Sequence, residues 1–172
     1  MLRIVLTGLV IFVSFLLQTS VFPSALPIDI CPNLFIILTA SCGFMAEERV
    51  GLIVGFVCGL LYDVFFGEII GFHALLYMYI GFINGKFARV FYPEDIKLPL
   101  ALITVSDLTY SLICYITQFL VRGRLEFFFY LRNVILPEMV CTLVATLLFY
   151  PMILKWNEWL REIERRSEQK FV

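Results

Sequence analysis

The chain has 172 residues, of which 61% are hydrophobic and 16% charged, with a net charge of −1. A soluble domain carries about 25% charged and about 45–50% apolar residues, so the apolar excess is too large for one water-solvated core and lipid is the expected solvent. The near-neutral charge excludes the basic footprint of a nucleic-acid-binding protein.

Six apolar segments follow one another at about 3–22, 32–46, 50–66, 71–90, 98–121 and 132–154. A spanning helix needs roughly 20 residues, so the short second and third segments imply tilt, a kink or a partly interfacial position. Arg3 followed by Ile4 to Leu17 has the form of a secretory signal, with Ser24-Ala25 as a cleavage-like pair. The apolar run continues to about Phe22 and further spans follow, so it is read as the first membrane helix. Pro23, Pro27 and Pro32 break the first connection, Glu47-Glu48-Arg49 the second and Gly67-Glu68 the third. Pro93-Glu94-Asp95 and Arg122-Gly123-Arg124 break the fourth and fifth. These gaps are short turn segments with no room for an extramembrane domain.

The third segment carries Gly51, Gly55 and Gly59 at four-residue spacing, then Asp63, with Gly67, Gly71 and His73 following through a bend. Four helical residues turn roughly 400°, so the glycines form one bare stripe on a greasy helix. Such a stripe lets two backbones approach closely, either within the bundle or between chains, which leaves a homo-oligomer open. Gly81 and Gly85 on the fourth helix offer a second small face to receive it.

Polar side chains in lipid must face the bundle or find partners. On the fourth helix His73, Tyr77, Gly81 and Asn84 share a face; on the fifth, Asp107, Ser111, Cys114 and Gln118; on the sixth, Glu138, Cys141, Thr142 and Ala145. These faces are expected to turn toward one another. Asp63 is read either as a helix-end carboxylate or as a buried contact fixing an interface, and His73 as a hydrogen-bonded helix-start residue. Asp107 falls nine residues, roughly 14 Å, into its helix, near mid-membrane. Asp107 and Glu138 raise the idea of a proton or ion path. Arg122, Arg124 and Arg132 are candidate counter-charges for the acids at the same end.

After Leu154 the chain becomes amphipathic. Trp156, Trp159, Leu160 and Ile163 fall on one face of a helix over 155–172, as in a membrane-surface helix or a docking helix for a partner. Lys and Arg residues divide ten against three between the two sides if the N-terminus is cytoplasmic, so both termini are expected in the cytoplasm. The five cysteines are scattered without a CxxC pair and read as small apolar side chains, with no metal or cofactor implied. No Ser-His-Asp set, P-loop or HExxH occurs, so no enzyme chemistry is indicated.

Three stretches resemble the MreD family of bacterial rod shape-determining membrane proteins: Leu17-Gln18-Thr19-Ser20, then Pro32-Asn33-Leu34, then Gly51, Gly55, Gly59-Leu60-Leu61-x-Asp63 with Gly67, Gly71 and His73-Ala74-Leu75. Asn33 stands where the family commonly has Asp. The resemblance implies an all-α, compact six-helix transmembrane bundle, similar to the substrate-binding subunits of energy-coupling-factor transporters. It implies a non-enzymatic scaffold in the bacterial inner membrane that maintains rod shape by organising lateral peptidoglycan synthesis. Its implied partners are MreC, MreB, and RodA with its transpeptidase. The same kinship supplies the alternative, a vitamin-like small-molecule binding subunit using the polar faces of helices four to six, with Glu126-Phe127-Phe128-Phe129-Tyr130 as a lid.

Overall fold

A computed structural model of the chain describes residues 2–25, 31–67, 69–88, 97–117 and 127–169. Among them the fold is all helical, a membrane bundle of six helices. Helix α1 joins Leu2–Leu16, a π-helical turn Leu17–Val21 and Phe22–Ala25 without a break. Then come α2 (Leu34–Ala46), α3 (Glu48–Phe66), α4 (Phe72–Ala88) and α5 (Lys97–Tyr115). Finally α6 joins Phe127–Tyr130, a second π-helical turn Leu131–Ile135 and Leu136–Gln169.

Both π turns lie immediately ahead of a proline, Pro23 and Pro137. Proline lacks an N–H and its ring collides with the carbonyl four residues earlier. Those carbonyls belong to Thr19 and Asn133, inside the two π turns. Widening the turn moves the carbonyl aside and keeps the helix continuous.

Ile4–Ser24, Glu48–Phe66, Lys97–Tyr115 and Phe128–Leu160 are each long and apolar enough to cross a membrane. The exterior is correspondingly greasy: Ile4, Phe12, Ile53, Val64, Val105 and Leu148 are all exposed. The interior is where the polar groups lie, among them Asn33, Asp63, His73, Asn84, Asp107 and Thr142. Such an arrangement suits lipid as the solvent.

The short helix α2 sits at the centre and touches all five others. Every residue from Leu34 to Ser41 is buried. Its 13 residues make it about 20 Å long, less than the ~30 Å hydrocarbon layer. Its shortness therefore comes with central burial rather than with a tilted or interfacial position, since protein, not lipid, surrounds it. It has no polar face, and its hydroxyl residues Thr39 and Ser41 are buried along with the apolar ones.

A single residue, Glu47, links α2 to α3. Its backbone takes φ 131° and ψ 161°, a region open essentially to glycine alone. The reversal is held by the Gly51 N–H donating to the Glu47 carbonyl at 3.1 Å.

Helices α3 and α4 pack antiparallel along the glycine stripe. A Cβ added at Gly51 would meet the Gly81 carbonyl, one at Gly55 the Tyr77 carbonyl, and one at Gly59 the His73–Ala74 backbone. Each four-residue step along α3 thus matches a four-residue step back along α4. Gly85 lies against Glu48 in the same way. Gly43 on α2 joins Gly51 and Gly81, so three backbones converge at one point. The spacing of the stripe pointed to close approach; Gly43, isolated in α2, carried no such signal.

The last helix continues past Leu154 rather than ending there to begin a separate tail. Leu136–Gln169 is one α-helix with Pro151 inside it. No glycine or further proline follows to interrupt it, and membrane helices tolerate an internal proline. Its inward residues near the end are Ile153, Asn157 and Leu160, whereas Trp159 is 48% exposed. The Trp156 and Trp159 rings lie 5.5 Å apart, with Trp156 and Ile163 half-buried at the flanks.

Candidate functional site

The polar centre of the molecule is built where α3 turns into α4. Gly67 ends α3, its N–H donating to the Asp63 carbonyl at 3.0 Å. Gly71, with φ 100°, makes the reversal that a side-chain-bearing residue would resist. Helix α4 then opens with backbone N–H groups that lack intrahelical acceptors. Asp63, only 1% exposed, accepts them. Its Oδ2 takes the Gly71 N–H at 2.9 Å and the Ala74 N–H at 3.0 Å. Its Oδ1 takes the His73 N–H at 3.1 Å and the His73 ring Nδ1–H at 2.7 Å. Phe72 donates to the Ile69 carbonyl, and Leu75 begins the regular ladder on Gly71. Every donor of the first turn is thereby satisfied. Asp63 acts as an N-cap supplied by the preceding helix, its charge placed at the positive end of the α4 dipole.

A second junction lies beside it. Asn33 caps α2 by accepting the Ile36 N–H at 3.2 Å and also accepts the Tyr77 hydroxyl at 3.2 Å. Its own N–H donates to Thr142 Oγ1 at 3.2 Å. One asparagine thus ties α2, α4 and α6. Here an amide serves as cap and hydroxyl acceptor without burying a charge. Around these junctions Tyr77 stacks on Tyr110 with centroids 5.0 Å apart, and Tyr62 lies 4.6 Å from the His73 ring.

Deeper in the bundle Asn84 Nδ2 donates to the Ile80 carbonyl at 2.8 Å and to Ser106 Oγ at 2.9 Å, joining α4 to α5. The α5 partner is Ser106, one residue before Asp107, and Ser111 is buried elsewhere on that helix. Asp107 is 1% exposed and neither carboxyl oxygen has a hydrogen-bond partner among the described residues. Thr142 is the side chain facing it across α6, outside bonding geometry. Glu138 stands one helical turn from Thr142 on α6. Gln118 lies outside the described residues, as do Arg122 and Arg124; Arg132 is exposed.

Two hollows remain. An apolar groove of about 530 Å³ runs between α1 and α6 over α2, lined by Val10, Val13, Ile37, Leu38, Phe149 and Trp156 among others. A smaller polar cavity of about 210 Å³ opens near the α3–α4 turn and is bounded by Gln18, Asn33, Tyr62, Tyr110, Val134 and Glu138. Tyr62 and Tyr110 escaped the sequence reading as site residues, although Tyr110 falls between Asp107 and Ser111 and Tyr62 adjoins Asp63. Gln18 was marked as part of the Leu17-Gln18-Thr19-Ser20 stretch and not as a site residue.

No group of three or more metal-binding side chains comes together among the described residues. Asp63 and His73 form a buried acid–base contact, and both are occupied in holding backbone to backbone.

Comparison with known proteins matches the description rod shape-determining protein MreD over residues 1–159. No curated protein and no solved structure matches the chain. The match runs from α1 through the glycine seam and the Asp63 cap into α6, and the chain accordingly belongs to the MreD family of rod shape-determining membrane proteins.

Proposed function

We propose that the chain is a non-catalytic scaffold of the bacterial inner membrane, organising lateral peptidoglycan synthesis through MreC and the associated MreB, RodA and transpeptidase. The observation that carries this reading is the use made of the family-like motif. Gly51, Gly55, Gly59, Asp63, Gly67, Gly71 and His73 all serve one hairpin, the glycines by close approach or reversal and Asp63 by capping α4. The motif builds a stiff helix pair, a use that suits a scaffold. In this reading both termini lie in the cytoplasm, following the Lys and Arg distribution.

The glycine seam is filled from within the chain, so a partner would meet the lipid-facing surfaces instead. The reading is tested by placing a photoreactive residue at exposed positions on α1, α3 and α6, for example Phe12, Val64 and Leu148. Crosslinks to MreC confined to one contiguous face, with rounded cells when that face is altered, are the expected result. Full insertion with no crosslink from any face, and normal rods without the chain, would overturn it. A transporter-type vitamin subunit fits less well, because the polar cavity is smaller than the ~300 Å³ at which drug-sized sites begin.

A further inference from the structure

The small polar cavity is out of place in this bundle. Its walls are mostly polar, while the larger groove beside it is almost wholly apolar. Polar side chains inside a membrane protein are costly unless they pair or line a path or site. Several of the cavity's groups have other work: Asn33 caps α2, and Tyr77 donates to it from behind. Two have none. Gln18 Oε1 is buried, and no described group donates to it. Among the described residues, no cation is paired with Glu138.

The Gln18 and Glu138 oxygens share a sign. One is a carboxyl group and the other a carbonyl oxygen, both able to accept hydrogen bonds. Two aromatic side chains, Tyr62 and Tyr110, line the same space. Acceptor oxygens combined with aromatic faces are the chemistry that receives an ammonium group. The volume, about 210 Å³, has room for about seven water-sized groups. That fits a small amine and not a peptide or nucleotide. Val134 is exposed at one wall, so entry does not require the bundle to open.

We infer that this cavity binds a small organic ammonium group, with Glu138 and the Gln18 carbonyl as acceptors and Tyr62 and Tyr110 as aromatic walls. The group could arrive as a free amine or as the headgroup of an aminophospholipid, and the chemistry at the site is the same.

The test uses the full chain in nanodiscs. In phosphatidylglycerol discs, choline and ethanolamine are titrated by calorimetry, with 3,3-dimethylbutanol as the uncharged isostere of choline. In a parallel arm, native mass spectrometry compares retention of phosphatidylethanolamine with that of phosphatidylglycerol. Saturable binding of the free amines identifies a free ligand, and selective retention of phosphatidylethanolamine identifies a headgroup. Either supports the site if Glu138→Gln weakens it at least tenfold and the isostere does not bind. Val134→Trp, at an exposed position on the wall, blocks entry without touching the charge and is expected to abolish binding while leaving the melting temperature of the unliganded protein in place. Absence of both signals, or binding indifferent to Glu138→Gln and Val134→Trp, would overturn the inference. If binding emerges only when Arg122 and Arg124 are replaced by Ala, this chain's own cations fill the site and the inference fails equally.

Discussion

Replacing Asp63 by Ala removes the sole acceptor of three backbone amides and one imidazole N–H at a buried helix start. An orphaned buried donor costs about 1–3 kcal/mol. An interhelical side-chain bond in a membrane protein averages about 0.6 kcal/mol. Taking the amides near the low end, because the bend can relax toward lipid headgroups, the loss is roughly 4 kcal/mol, at the upper edge of single-substitution effects. For a chain of this size that corresponds to a fall of about 8–16 °C in melting temperature. Asp63→Asn keeps one acceptor oxygen and can retain up to two of the four bonds, so its fall is expected to be about half as large. The measurement is thermal unfolding of the purified chain in detergent, followed by Trp156 and Trp159 fluorescence and by loss of the monodisperse peak on size exclusion. A melting temperature for Asp63→Ala within about 2 °C of the parent would refute the capping argument, as would Asn and Ala variants of equal stability.

Gly55→Ala and Gly59→Ala drive a methyl into the Tyr77 carbonyl and the Ala74 backbone, and neither chain is expected to yield folded protein, whereas Gly8→Ala meets nothing within 4 Å and should be neutral or stabilising by up to about 1 kcal/mol; expression and melting of the three variants decide this. Glu47→Gly relieves the φ 131° conformation and is expected to raise stability by about 1–2 kcal/mol, read as a higher melting temperature. Tyr77→Phe removes one donor from Asn33 and should cost about 1 kcal/mol, and Asn33→Ala, which also uncaps α2, should cost more, read in the same melting assay.

The apolar periodicity marked the helices because lipid demands long greasy runs, and four-residue glycine spacing marked the α3–α4 seam because that spacing returns to one helix face. The use made of Asp63 was harder to read. It bonds to residues 8 to 11 positions later, across a bend whose geometry rests on Gly67 and Gly71. Only the adjacency of acid, glycines and histidine hinted at a shared purpose. The centrality of α2 was not legible at all. A 13-residue apolar run looks the same whether it lies at an interface or is enclosed by five helices, because enclosure depends on the partners and not on the run itself. The continuity of α6 was hidden for a related reason: the change from apolar to charged residues at Lys155 marks a change of solvent, not an end to the helix.

The enclosure of α2 has a consequence for how the chain is made. A helix of about 20 Å with Asn33, Thr39 and Ser41 on it is a poor substrate for lateral release into lipid while it is alone. Helices α3 and α4 supply much of its covering, Gly51 and Gly81 both lying against Gly43, and α4 ends at Ala88. During synthesis α2 must therefore wait near the insertion machinery until the α3–α4 hairpin has emerged, so the first four helices enter the bilayer as a group. A ribosome stalled with residue 66 just inserted should hold α2 accessible to water-soluble thiol reagents at Cys42, and one stalled after residue 88 should protect it.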